Sequence, residues 1–127
     1  MNMLVQEIGQ CMADLTETDK GKLVARFVFP EDFIGFQGHF PDRPILPGVC
    51  KIQALVVILR TWHKKKIRLK EVVLSKFFSP VSCGEELIFE CQEQMENGEE
   101  AIVKALITSK GKKIAKLQLR VRIEEEK

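Results

Sequence analysis

Between Gly35 and Val49 the chain reads GFQGHFPDRPILPGV, with three prolines and three glycines in fifteen positions. Such a run fixes a backbone that is neither helix nor strand. It carries His39 between Gly38 and Phe40-Pro41. An imidazole titrates near neutrality and suits general base work. A lone histidine is ordinarily structural. A rigid irregular loop leading into a buried helix is nevertheless a favourable seat for a catalytic base. Asp42 and Cys50 are the other acidic groups nearby. Metal chemistry has no support: Cys11, Cys50, Cys83 and Cys91 form no C-x-x-C pair and no zinc spacing with His39 or His63. No cofactor-binding motif is present, so no cofactor is expected.

The elements that must hold this loop are mostly strands. Leu23–Phe29 has strand composition and follows an Asp19-Lys20-Gly21 turn. Glu86–Met95 and Ala101–Ser109 flank Asn97-Gly98, a strong hairpin signal. Lys110-Gly111-Lys112 turns the chain again. Leu117, Leu119, Val121 and Ile123 then alternate with Gln118, Arg120 and Arg122, as a strand with one buried face requires. After Pro47-Gly48 the run VCKIQALVVILRTWHKKK is apolar on nearly every side as far as Leu59. Pro47 is placed to open a helix, and Arg60 to Lys66 put positive charge at its closing end. A helix hydrophobic all round is a buried helix. The pattern predicts an α+β domain, a curved antiparallel sheet wrapped around one central buried helix. Lys51 stands inside that helix, its stem expected along the surface and its amine in water. His63 reads as a solvated helix-end residue.

Length and composition agree with one domain over residues 1–127. A chain of this size buries roughly two-thirds of the surface its unfolded form exposes. The net charge of +2 drives the protein neither onto nucleic acid nor onto a membrane. The longest apolar run, Ala54 to Leu59, is too short to span a bilayer, and the first ten residues lack a signal peptide's basic start. A soluble cytoplasmic protein with reduced thiols is expected. Charge is segregated along the chain: eight basic residues and one Glu from Lys51 to Ser82, then seven Glu and no Lys or Arg from Cys83 to Glu100. These blocks read either as solvated strand faces or as a docking surface for an acidic partner. An open sheet edge, finally, predicts pairing with a second copy.

The order G-H-F-P-x-x-P-x-x-P-G-V, Gly38 to Val49, resembles the signature of the 3-hydroxyacyl-[acyl-carrier-protein] dehydratases. A weaker likeness follows at Phe78 to Glu85, where Ser79, Cys83 and Glu85 depart from the family's F-[KR]-P-V-x-P-G-D. From about Asp14 onward, strand order and length fit the family. The resemblance implies a hot-dog fold, a homodimer or trimer of dimers, and a 3-hydroxyacyl thioester carried by an acyl carrier protein. It implies that His39 removes the proton α to the thioester carbonyl. Gly48, at the helix start beside Val49, gives a backbone N–H to the oxygen on which enolate charge develops. Phe33, Phe36 and Phe40 then line the acyl tunnel or simply fill the core. Lys64, Lys65, Lys66, Arg68 and Lys76 become the carrier-protein surface.

One position departs in a way that bears on catalysis. The family's second catalytic residue, a Glu or Asp that protonates the departing hydroxyl, falls on Gln53 here. An amide keeps the size and hydrogen bonds of Glu but has no proton of useful acidity. General acid assistance is typically worth about 10²–10⁴-fold. Three readings stay open: an atypical dehydratase, a non-catalytic acyl-thioester or carrier-protein binding module, and one half of a heterodimer whose partner supplies the acid. A thioesterase would need a carboxylate on or near the helix, and the Gly48–Trp62 segment has none.

Overall fold

The computed structural model describes residues 3–36 and 45–125. A short helix α1 (Met3–Gln10) leads into strand β1 (Met12–Glu17). Strand β2 (Leu23–Val28) follows, then a 3₁₀ turn (Ile34–Phe36), the long helix α2 (Gly48–His63) and strands β3 (Lys66–Phe77), β4 (Glu86–Asn97), β5 (Glu100–Ser109) and β6 (Lys112–Glu124). The six strands form one sheet in the order β1-β2-β4-β5-β6-β3, antiparallel at every junction.

Three turns set the register. Thr18 and Lys22 close the β1–β2 turn through a 2.8 Å N–H···O bond, with Gly21 at φ 79°. The β4–β5 turn falls on Gly98 and Glu99, one residue later than the Asn97-Gly98 signal. At φ 45°, Gly98 supplies the positive φ that a two-residue hairpin needs. Lys110 and Gly111 both take positive φ, 52° and 78°, the requirement of a type I′ turn between β5 and β6.

Alternation then sorts the side chains. Ala25 and Phe27 of β2, Leu87, Phe89 and Cys91 of β4, Val103 and Ile107 of β5, and Leu117, Leu119 and Val121 of β6 are all buried. They form one continuous core with Ala54, Leu55, Ile58 and Leu59 of α2, each fully buried. Each large apolar side chain so buried stabilises the fold by about 1.5–3 kcal/mol. The sequence route explains why α2 lies centrally. The chain leaves the sheet at β2, one strand in from one edge, and re-enters at β3, the opposite edge. Helix α2 makes that crossing.

Its ends are defined by local chemistry. Pro47 sits extended at φ −62°, ψ 149° as the N-cap residue, and Lys64 closes the helix in the left-handed region, its N–H donating to the Arg60 carbonyl at 2.8 Å. On the loop side, a file of aromatic rings anchors the 3₁₀ turn to the sheet. Phe89 meets Phe27 at 5.0 Å, Phe27 meets Phe29 at 5.7 Å, Phe29 meets Phe33 at 4.8 Å and Phe33 meets Phe36 at 5.8 Å. That file fixes the backbone on which the Gly35–Val49 segment begins.

Candidate active site

Helix α2 starts in a crowded place. A β-carbon at Gly35 would lie 2.4 Å from the Phe33 ring and 2.9 Å from the Cys50 sulfur, so the 3₁₀ turn can sit against the helix's first turn only with glycine there. On the other side, Leu46 donates its N–H to the Val81 carbonyl at 2.9 Å, and Ile45 bridges to Ser82. These contacts bring the segment before α2 against the segment after β3. The Phe77 ring packs directly on Gly48, where a β-carbon would approach to 2.8 Å.

Between the helix start and the end of β3 lies a cavity of about 390 Å³, lined by Ile45, Gly48, Lys51, Phe77, Phe78, Ser79 and Pro80. Lys51 is not the water-seeking lysine that its sequence setting suggests. It is 3% exposed, its ammonium 5.1 Å from the centre of the Phe77 ring and 3.5 Å from the Leu46 carbonyl. Burial holds this amine below the ordinary lysine range, with the Cys50 thiol pulling weakly the other way. The Cys50 thiol is itself pushed up by burial, against the opposing influence of Lys51.

The other expected site residues distribute as follows. Val49 is exposed and Gln53, one helical turn on, is half-buried on the same face. Phe33 and Phe36 are buried within the aromatic file. His39, Phe40 and Asp42 lie outside the described residues. The basic residues divide into two groups. Lys64 and Lys65 border a second cavity of about 410 Å³ between α1 and α2, together with Arg60, and Lys66 and Arg68 open β3 at that same end. Lys65 pairs with Glu125 at 2.8 Å and Arg68 with Glu124 at 3.5 Å. Lys76 lies at the other end of β3, beside Phe77. A sixteen-residue helix is roughly 24 Å long, so the Lys64 group is that far from Gly48.

His63 is half-buried and bonds Glu93 of β4 at 2.8 Å, so it ties the end of α2 to the sheet instead of standing in solvent. All four cysteines are free thiols. Burial, with Glu7 and Asp32 adding, pushes Cys11 up to about 11. Burial, then Glu90, pushes Cys91 up to about 12. Among the described residues no cluster of His, Cys, Asp and Glu is arranged to hold a metal. No described helix is long and apolar enough to cross a membrane. Two features of the site escape a reading of the sequence: the burial of Lys51 and the Phe77 wall. An unexplained charge inside an apolar helix was the available signal for the first.

A curved antiparallel sheet around one long central helix is the hot-dog arrangement. A solved structure, the dehydratase heterocomplex ApeI:P from Xenorhabdus doucetiae, superposes with a TM-score of 0.71 at 16% identity, covering 87% of this chain and 96% of that one. The family model for ApeI-like dehydratases, described as ApeI dehydratase, matches residues 15–124, and the chain belongs to that family. Among curated relatives it is similar to the 3-hydroxyacyl-[acyl-carrier-protein] dehydratase FabZ of Wolbachia sp. subsp. Drosophila simulans, 35% identical over 88 residues, 61% of this chain and 60% of that protein. The FabZ of Clostridium botulinum (strain Okra) is 30% identical over 114 residues, 83% of this chain and 78% of that protein. The chain spans about 60% of the length of the first curated relatives it matches.

Proposed function

We propose that this chain acts on 3-hydroxyacyl thioesters presented by an acyl carrier protein and removes water to leave the 2-enoyl thioester, in fatty-acid or related lipid or polyketide synthesis. His39 takes the proton α to the carbonyl. The N–H of Gly48 steadies the oxygen on which enolate charge collects. The β-hydroxyl departs with a proton as water, and Gln53 orients the hydroxyl or a water that returns that proton. The observation that carries this reading is the helix start itself: α2 opens at Gly48 on an accessible cavity, in a chain of dehydratase family. First-turn N–H groups have no partner within the helix and favour a developing negative charge.

Val49, with Gly48, meets the thioester, while Phe33, Phe36 and Phe40 back the acyl chain. Lys76 receives the carrier protein on the Gly48 side of the domain, and Lys64, Lys65, Lys66 and Arg68 extend that acidic-partner surface toward the far end of α2. The working unit is a homodimer, alone or as a trimer of dimers, built on the open β3 edge, in the cytoplasm and away from nucleic acid and membrane. A second reading is favoured by one residue. With Gln53 at the acid position, the chain serves as a non-catalytic acyl-thioester binding protein or as one subunit of a heterodimer whose partner brings the carboxylate.

Dehydration of a 3-hydroxyacyl carrier protein by the purified chain tests the first reading. Turnover that disappears in His39→Ala supports the enzyme. Binding of the thioester with no turnover supports the second reading instead, and recovery of activity on mixing with a partner that carries the acid would identify the heterodimer.

A further inference from the structure

The first turn of α2 has the wrong sign of charge. Helix N-termini carry partial positive charge and favour acidic residues, yet this first turn holds none and Pro47 contributes no side-chain cap. Lys51 adds a cation there, and it is 3% exposed. Among the described residues its ammonium has a single polar contact, the Leu46 carbonyl at the outer limit of 3.5 Å, besides the face of Phe77. Desolvation, the helix dipole and the lack of a described carboxylate all act against this charge. Each is relieved by the same thing, a negative group placed in the cavity that Lys51 lines.

We propose that the cavity between the start of α2 and the Phe77–Phe78 wall is a binding site for a compact oxyanion, a carboxylate or a phosphate ester carried on a slender arm, with Lys51 as its cation. Lys51 and Gly48 lie one turn apart on one face of the helix, and both border the same cavity at the positive end of the helix dipole. Ile45, Phe77 and Phe78 give this space an apolar side, and a hydrogen bond from the ammonium to an anion is charge-assisted. Gln53 is two residues from Lys51, on a different face, so this site is distinct from the one at which the hydroxyl leaves. The inference rests on the acyl-thioester reading for the identity of the arm and names the charged group that this arm brings.

The test is a binding titration on the full chain, followed by NMR, with paired probes. Succinyl-pantetheine is compared with butyryl-pantetheine, and 4′-phosphopantetheine with pantetheine. One anionic member is expected to bind about tenfold tighter than its neutral counterpart, and the pair that shows this preference says whether the oxyanion is a carboxylate or a phosphate ester. The preference is expected to vanish in Lys51→Met and to survive in part in Lys51→Arg. If Lys51→Met does not fold, Lys51→Gln gives the same readout. Equal binding within both pairs, or a preference that persists in Lys51→Met and Lys51→Gln, overturns the proposal. So does a preference seen only in Asp42→Asn, which would place the lysine's counter-ion within the chain. Neutral thioester binding with no anion preference removes this inference and leaves the acyl-thioester reading standing. Failure of every thioester to bind removes both.

Discussion

The ring of Phe77 rests on the backbone of Gly48: a β-carbon at position 48 would lie 2.8 Å from its Cζ and 3.1 Å from its Cε2. Phe77 is half-exposed and belongs to an edge strand, so the ring can swing outward. For Gly48→Ala, the strain of that displacement is offset by the smaller conformational entropy of alanine in the unfolded chain, about 0.4–1 kcal/mol. The net change in stability is expected to stay within about 1 kcal/mol. Combined with Phe77→Ala the two substitutions should couple by at least about 0.5 kcal/mol, as touching residues do. Urea unfolding of the four proteins in the cycle measures it, and strict additivity would show that the ring does not bear on the glycine.

Replacing Lys51 with Met keeps a long flexible stem and removes a buried charge. In the absence of ligand, Lys51→Met is expected to match or exceed the parent in stability, by up to about 4 kcal/mol. The gap should close as pH rises. The folded-state pKa of Lys51 lies below its ordinary value of 10.5 because of burial. As pH climbs toward 10.5, the native amine loses its proton before the unfolded one, the unfolded state then binds more protons, and the parent gains stability. Chemical denaturation of both proteins between pH 7 and 11 reads this directly; a gap that widens with pH would contradict the assigned cause.

Gln53 is half-buried on the accessible face of α2, where a carboxylate can be accommodated. Gln53→Glu is expected to raise single-turnover dehydration by about 10²-fold or more, within the usual range for general acid assistance. An unchanged rate in a folded variant would mean that the hydroxyl leaves elsewhere than at position 53.

Strand β3 ends the sheet and exposes Val72, Val73 and Phe77 along its length. Its ladder to β6 shifts register at Leu69/Glu71 and at Val72/Leu74, which twists the edge without blunting it. The parent chain is expected to sediment as a dimer at micromolar concentration. The double substitution Val72→Lys, Val73→Lys should weaken that dimer at least about a hundredfold by placing charges on the shared edge. A parent protein that sediments as a monomer throughout would move the interface off β3.

The features legible in the sequence were those with local causes. Pro47-Gly48 opens α2, Gly98 and Lys110-Gly111 make the hairpin turns, and the Leu117–Ile123 alternation marks β6 because each signal is complete within a few residues. Helix α1 escaped because at eight residues its Leu4, Val5 and Ile8 stripe spans barely two turns, too few repeats for the period to stand out. Strand β3 escaped because Ile67 is its one buried residue, and an edge strand wet on both sides does not alternate. The site was half legible for the same reason. Gly48 and Gln53 are positions in a motif, whereas the burial of Lys51 depends on Phe77, supplied by a strand far along the chain. The His63–Glu93 bond was likewise invisible, since it joins a helix end to a strand thirty residues on.

The pairing of β3 with β6 also fixes an order of assembly. Lys66 faces Glu124 and Phe77 faces Ala115 across the ladder, although β4 and β5 are made between them. Closure of this loop is a long-range event, and long-range pairing slows folding. A growing chain that has completed α2 and β3 therefore carries a finished strand with no neighbour on either side until β6 is synthesised. During that interval the apolar stretch around Val72 and Val73 is a site for chaperone capture or for wrong pairing between nascent chains. Loss of the β6 segment would make that transient hazard permanent.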